Sequence, residues 1–159
     1  MGKLEFLLKE EPQDILERPV IEQNIPHRDP FLFVDEVYLF EDKKYLMGLR
    51  RFTGEEPFFK GHFPKYPVVP GVMILEAMAQ TVGAAVMQSP KFKTLKGKVA
   101  FFASIEQAKF RKQVAPGDLL KIVIELQRVG KITKIYGEAY TYNGLCTEAV
   151  LNFIVGDKD

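Results

Sequence analysis

Between Pro70 and Met87 the chain reads PGVMILEAMAQTVGAAVM, an apolar run whose only charge is Glu76. Pro70 suits the first turn of a helix, where its missing N–H has no intrahelical role. Ser89-Pro90 supplies the stop. Apolar residues occupy every side of this helix, so other elements must enclose it. The rest of the chain offers few further helical stretches. The wrapping is therefore expected from a strongly curved antiparallel sheet, which makes the domain α+β with the helix in the concave face.

The strands are legible from alternation and turns. Phe31–Phe40 and Tyr45–Phe52 read as two strands, joined through Glu41-Asp42-Lys43-Lys44. Later strands are expected at about 97–106, 108–114, 118–129, 132–142 and 145–155. Leu120, Ile122, Ile124 and Leu126 alternate with Lys121, Glu125 and Gln127, the pattern of a half-buried strand. Pro116-Gly117-Asp118 and Asn143-Gly144 are turn signals, and Asn-Gly is a strong hairpin turn. Residues 1–20 read as a peripheral segment, with a short helical turn at 13–18 ended by Pro19. Residues 21–159 read as one domain. The irregular stretch 53–69 holds Gly54, Pro57, Gly61, Pro64 and Pro67, and a loop of that length in a compact domain is often functional.

Composition narrows the function classes. A chain of 159 residues, 47% hydrophobic, fits one domain with a full core. Cys146 is the single cysteine, so an intramolecular disulfide and a multi-cysteine zinc cluster are both excluded, and a reducing cytoplasm is the expected setting. No metal site is expected. Glu76 and Gln80 interrupt the apolar run, which argues against membrane insertion. The sequence has no glycine-rich phosphate loop and no dinucleotide fingerprint. Net charge is +1, yet residues 91–112 carry seven basic groups against Glu106 alone. That field suits an acidic partner; nucleic acid is not the expected one.

Three groups bear on chemistry. Burial of the Glu76 carboxyl in apolar surroundings favours its neutral form and fits it to donate a proton. Gln80, one helical turn later on the same face, is placed to support it. His62, in a loop stiffened by Pro64 and lined by Phe58, Phe59 and Phe63, is suited to act as a positioned base. Gly71 opens the helix, where free N–H groups carry partial positive charge and a bare backbone can approach a carbonyl. Together these fit proton removal beside a carbonyl and protonation of a leaving group, as in β-elimination or its reverse. The bland alternatives are a structural core carboxylate and an unremarkable loop histidine. Ser89, Ser104 and Cys146 lie in no nucleophile-elbow context. His27 reads as a loop-fixing residue.

The segments IPHRDPFLFVD (25–35), EPFFKGHFPKYPVVPGVMILEAMAQ (56–80) and KFRKQVAPGD (109–118) resemble the (3R)-hydroxyacyl-[acyl-carrier-protein] dehydratases of bacterial fatty acid synthesis, the FabZ type. The resemblance implies a hot-dog fold and a cytoplasmic hydro-lyase that converts 3-hydroxyacyl thioesters to trans-2-enoyl thioesters. It implies that His62 of one chain faces Glu76 of another in a homodimer, with three dimers per assembly, and that the Gly71 N–H binds the thioester carbonyl. Phe63, Phe101 and Phe102 are then expected to line an acyl tunnel. Lys93, Lys96, Lys98, Lys109 and Arg111 are expected to dock the acidic acyl carrier protein, whose phosphopantetheine arm carries the substrate with no other cofactor. Two positions depart from the family pattern: Asp29 stands where Tyr is expected, and Gln113 where Pro is common. Glu76 rather than Asp favours dehydration without the double-bond isomerisation of the FabA type. The rivals are a hot-dog acyl thioesterase and a non-catalytic acyl-thioester sensor.

Overall fold

Strand alternation sets the architecture. The computed structural model describes residues 2–90 and 99–156. Its strands are β1 (Asp14–Leu16), β2 (Glu36–Leu39), β3 (Tyr45–Arg51), β4 (Val99–Phe110), β5 (Leu119–Arg128), β6 (Ile132–Thr141) and β7 (Gly144–Gly156). They form one antiparallel sheet in the order β1-β2-β3-β5-β6-β7-β4. In β5, Leu120, Ile122 and Ile124 are fully buried in the main core, each worth about 1.5–3 kcal/mol on leaving water. Val123, between them, belongs to a second cluster with Leu4, Leu7, Phe40, Met47 and Tyr140. Successive side chains of a strand point to opposite faces, so the sheet is buried on both sides.

The long helix α2 (Gly71–Gln88) sits in the main core, capped by Pro70 and ended by Ser89 in extended conformation. It is long and apolar enough to cross a membrane, but it is packed as the core helix of this domain. Ile74, Leu75, Ala77, Met78, Val82 and Ala84 are all buried. Gly48 on β3 permits the close approach of helix and sheet, since a Cβ there would lie 2.2 Å from Thr81 Oγ1. One stripe is only partly covered by the sheet. Val72, Glu76, Ala79 and Gly83 share a helix face, and Val72 is 65% exposed.

Two expectations about elements need correction. The strands expected at 97–106 and 108–114 are one strand, β4, with residues 97 and 98 outside the described residues. The register explains how: Glu106 pairs with Val150 and Lys109 with Glu148, so three steps along β4 match two along β7. Gln107, at φ 52°, absorbs the extra residue as a bulge. The helical turn expected at 13–18 is instead strand β1, paired with β2. Pro19 opens helix α1 (Arg18–Asn24) rather than ending a turn, because proline is tolerated in a first helical turn. Ahead of β1, a 3-10 helix (Glu5–Lys9) lays Leu4 and Leu7 on the second cluster.

Candidate active site

Glu76 lies in the second turn of α2, on the partly covered stripe. Gln80, one turn on and buried, donates through Nε2 to Glu76 Oε2 at 2.8 Å and to the Phe31 carbonyl at 2.8 Å. Its Oε1 accepts the Phe33 N–H at 2.6 Å. Both N–H groups of the amide and its oxygen are engaged, and Glu76 is held from one side. Thr81 does not join this set; its hydroxyl donates back to the Ala77 carbonyl at 2.8 Å.

A residue that the sequence reading did not connect to Glu76 also reaches it. His27, on the loop after α1, places Nε2 3.4 Å from Glu76 Oε2. Both residues line a small cavity of about 80 Å³, with Gln80, Ala79, Gly83, Met87 and Phe102 among its walls. Phe102 packs on Phe153 with ring centroids 5.3 Å apart. Phe101, its neighbour on β4, points to the opposite face and is 54% exposed. Phe63 is exposed beside His62 and is not among the residues lining this cavity.

His62 is fixed differently. Its N–H donates to the Phe58 carbonyl at 3.0 Å, and its own carbonyl accepts the Val68 N–H at 2.9 Å. The ring stacks on Phe63, centroids 4.2 Å apart. Nδ1 lies 3.0 Å from the Val68 carbonyl, which can only accept. The ring proton of neutral His62 therefore sits on Nδ1, and Nε2 presents a lone pair, the form a general base needs. Val68 and Gly71 line a second cavity, of about 310 Å³, with Val72, Phe110 and Lys112. A Cβ on Gly71 would lie 2.6 Å from the Phe110 ring. Within one chain, then, Glu76 and the Gly71 region open onto separate cavities.

The loop that carries His62 is anchored by a charged network. Arg50 donates to Glu56 Oε2 at 2.9 Å and to the Leu32 carbonyl at 3.2 Å. Glu56 also accepts the N–H groups of Thr53 and Gly54 at 3.1 and 2.9 Å. Burial works to raise the Glu56 carboxyl, but the N–H donors of Thr53, of Glu56 itself and of Gly54, with the Arg50 guanidinium, outweigh it and hold the group below its ordinary value. Asp29, one of the two departures, accepts Arg18 Nη2 at 2.8 Å. Gln113, the other, accepts the Tyr66 hydroxyl. Of the basic residues expected to dock a carrier, Lys109 is exposed and Arg111 donates to Glu148 at 3.0 Å. Lys93, Lys96 and Lys98 lie outside the described residues.

Residues 25–148 match the model of the FabA-like domain family. A relative from Pelotomaculum thermopropionicum, 3-hydroxyacyl-[acyl-carrier-protein] dehydratase FabZ, is 50% identical over 136 residues, covering 85% of this chain and 95% of that one. The chain belongs to the FabZ dehydratase family. The FabZ of Desulforamulus reducens is 44% identical, over 91% of this chain and 100% of its own. Among solved structures, the dehydratase heterocomplex ApeI:P from Xenorhabdus doucetiae aligns with a TM-score of 0.73 at 18% identity, covering 87% of this chain and 91% of that one. A hot-dog-like protein from Thermanaerovibrio acidaminovorans aligns at 0.56 and 15% identity, over 72% and 82%. These likenesses establish the hot-dog fold of this FabZ-family chain: a long helix in a seven-stranded antiparallel sheet.

Proposed function

We propose that this FabZ-family chain removes water from (3R)-3-hydroxyacyl groups carried on acyl carrier protein, giving trans-2-enoyl-carrier protein in fatty acid biosynthesis. The observation that carries the reading is the protonation pattern of His62: Nδ1 is committed to the Val68 carbonyl, so Nε2 is free to take the C2 proton. The electron pair left at C2 is delocalised onto the thioester oxygen, which the Gly71 N–H at the start of α2 would stabilise. Glu76, in its protonated form, gives its proton to the C3 hydroxyl. The C3–O bond breaks, water leaves and the C2=C3 double bond forms. His62 ends with one proton more and Glu76 with one fewer, and transfer between them and solvent resets the pair. The step moves protons only, so no cofactor is invoked beyond the phosphopantetheine arm of the carrier.

Glu76 and His62 are proposed to work across two copies of the chain. What supports this is Val72, exposed on the partly covered α2 face that bears Glu76, together with the sheet-edge strand β4, where Phe101, Ile105 and Phe110 are exposed. Large apolar side chains left exposed along a sheet edge favour pairing with another chain. Three such dimers per particle, cytoplasmic location, an acyl path along Phe63 and Phe102, from which the outward-facing Phe101 is left out, and carrier docking through the basic residues around Lys109 and Arg111 belong to the same reading. Residues 21–159 are proposed to carry the chemistry, with the first 20 as a stabilising strap.

The test is turnover of a (3R)-3-hydroxyacyl-carrier protein by the purified chain, followed by mass spectrometry of the product. His62→Ala and Glu76→Gln are each expected to reduce kcat at least 100-fold, the scale of a lost general acid or base (about 10²–10⁴). Near-parental turnover in either variant removes that residue from the mechanism. Formation of a cis-3-enoyl product would overturn the assignment of dehydration without isomerisation. Release of free acid would point to a thioesterase instead.

A further inference from the structure

We infer that His27 is a positioning residue for the Glu76 acid, acting on Glu76 of its own chain. This rests on the reading of Glu76 as the proton donor. Reading His27 as loop-fixing requires its ring to bond the loop, and the ring does not do so. Nδ1 is buried and has no hydrogen-bond partner among the described residues. A buried polar atom left without a partner is rare and calls for a cause. The loop is held by other groups: Arg28 donates to the carbonyls of Ile25 at 2.9 Å, His27 at 2.6 Å and Glu22 at 2.9 Å. The His27 backbone is thus clamped by its neighbour. The ring is left facing the helix, with Nε2 3.4 Å from Glu76 Oε2.

The ring's tautomer follows from these surroundings. A proton on Nδ1 would be a buried donor with nothing to receive it. A proton on Nε2 faces Glu76, with Nε2 3.4 Å from Oε2, and can be shared with that oxygen once the contact tightens. Glu76 Oε2 then faces two donors, Gln80 Nε2 at 2.8 Å and His27 Nε2. An oxygen that accepts from both has no use for a proton of its own, so the acidic proton of neutral Glu76 is placed on Oε1. When Oε1 gives up that proton, negative charge appears on the carboxylate and both donors at Oε2 stabilise it. Their effect is larger after proton transfer than before, which is the condition for lowering the barrier. A separation of 3.4 Å is longer than a formed hydrogen bond, and such catalytic contacts commonly tighten only in the reacting complex.

The experiment compares full-length variants that differ in the donor. His27→Gln carries an amide N–H out to about the position of Nε2. His27→Asn is too short to reach Glu76, and His27→Phe keeps the ring's bulk without a donor. Loss of one hydrogen bond to a charged group corresponds to about 10- to 100-fold. We expect kcat to fall by that factor in His27→Asn and His27→Phe, with KM within about twofold of the parent, and His27→Gln to recover at least fivefold of the loss. Parental kcat in either donor-less variant, or an equal loss in all three, overturns the inference. Glu76→Gln runs alongside. If it keeps turnover, the acid assignment itself fails. If it is inactive while the His27 variants match the parent, only the role of His27 falls.

Discussion

Arg50 and Glu56 form an ion pair at 2.9 Å whose side chains are only 11% and 9% exposed. The Arg50 guanidinium also lies over the ring of Phe52, 5.2 Å from its centroid. Glu56 closes the turn at Thr53 and Gly54, so this pair fastens the start of the loop that leads to His62. Glu56→Gln keeps the shape and removes the charge. It is expected to destabilise the fold by about 1–3 kcal/mol, because the buried Arg50 loses its closer partner and keeps only the more exposed Asp35, at 3.3 Å, as counter-charge. The pH dependence has a definite sign. The folded carboxyl lies below its ordinary value of 4.5, so its contribution is full above that value and is lost as pH falls through the folded one. Urea melts at pH 7 and in steps below pH 4.5 check this: the gap between parent and variant should shrink with acid. A constant gap would show that the charge does not carry the effect.

Gly71 is constrained by a ring rather than by a turn. A Cβ there would collide with Phe110 at 2.6 Å, and the residue sits where the first free N–H groups of α2 emerge. Gly71→Ala is expected to cost about 1–3 kcal/mol through overpacking. It should also lower kcat more than KM, because the shift displaces the proposed carbonyl donor. Gly71→Ala combined with Phe110→Ala relieves the clash and should recover most of the lost melting temperature. No recovery in the double variant would mean that the collision is not the cause.

The sequence showed the helix clearly and the site only in part, and the division has physical reasons. α2 was legible because its composition, Pro70 and Ser89-Pro90 act locally. The Asn143-Gly144 hairpin was legible for the same reason. The continuity of β4 was not, because the bulge at Gln107 is tolerated only through pairing with β7, which lies far along the chain. Pro19 was misread because proline stops a helix in its interior and starts one at its first turn. Glu76 stood out as a lone charge in an apolar run. His27 did not, since its contact with Glu76 exists only once the loop after α1 packs on α2. The Arg50–Glu56 pair was hidden in the same way.

Glu138 on β6 is fully buried and accepts the hydroxyls of Tyr136 at 2.6 Å and Tyr140 at 2.9 Å, and the Leu4 N–H at 3.0 Å. Burial first, and then the bonds to Glu138, push both phenols well above the ordinary value of 10. Raised values contribute stability that is complete below pH 10 and fades as pH climbs above it. Of the six tyrosines, Tyr136 and Tyr140 are therefore expected to ionise only on unfolding, as read from absorbance at 295 nm. Deleting residues 2–9 strips Leu4 and Leu7 from this cluster. The deletion should lower the melting temperature and bring the two phenols into the normal titration, while kcat changes less than threefold. A large loss of kcat would place the segment in the site rather than beside it.

Ile105 decides whether the edge of the sheet is an interface. It lies on β4, is 48% exposed and pairs with Leu151 of β7 on its inner side, and no strand among the described residues pairs with its outer edge. A long apolar edge strand in a free monomer would invite aggregation, and charged residues are the usual protection against it. Ile105→Arg places such a charge on the strand without touching His62 or Glu76. If two copies pair through this strand, the variant should run as a single chain of about 18 kDa by light scattering and lose turnover together with assembly, since neither chain then completes the site. Heat stability of the isolated domain should change little, because the substituted side chain is exposed in one chain. A monomeric Ile105→Arg that retains parental kcat would show that one chain suffices for the chemistry, and the shared site would have to be given up.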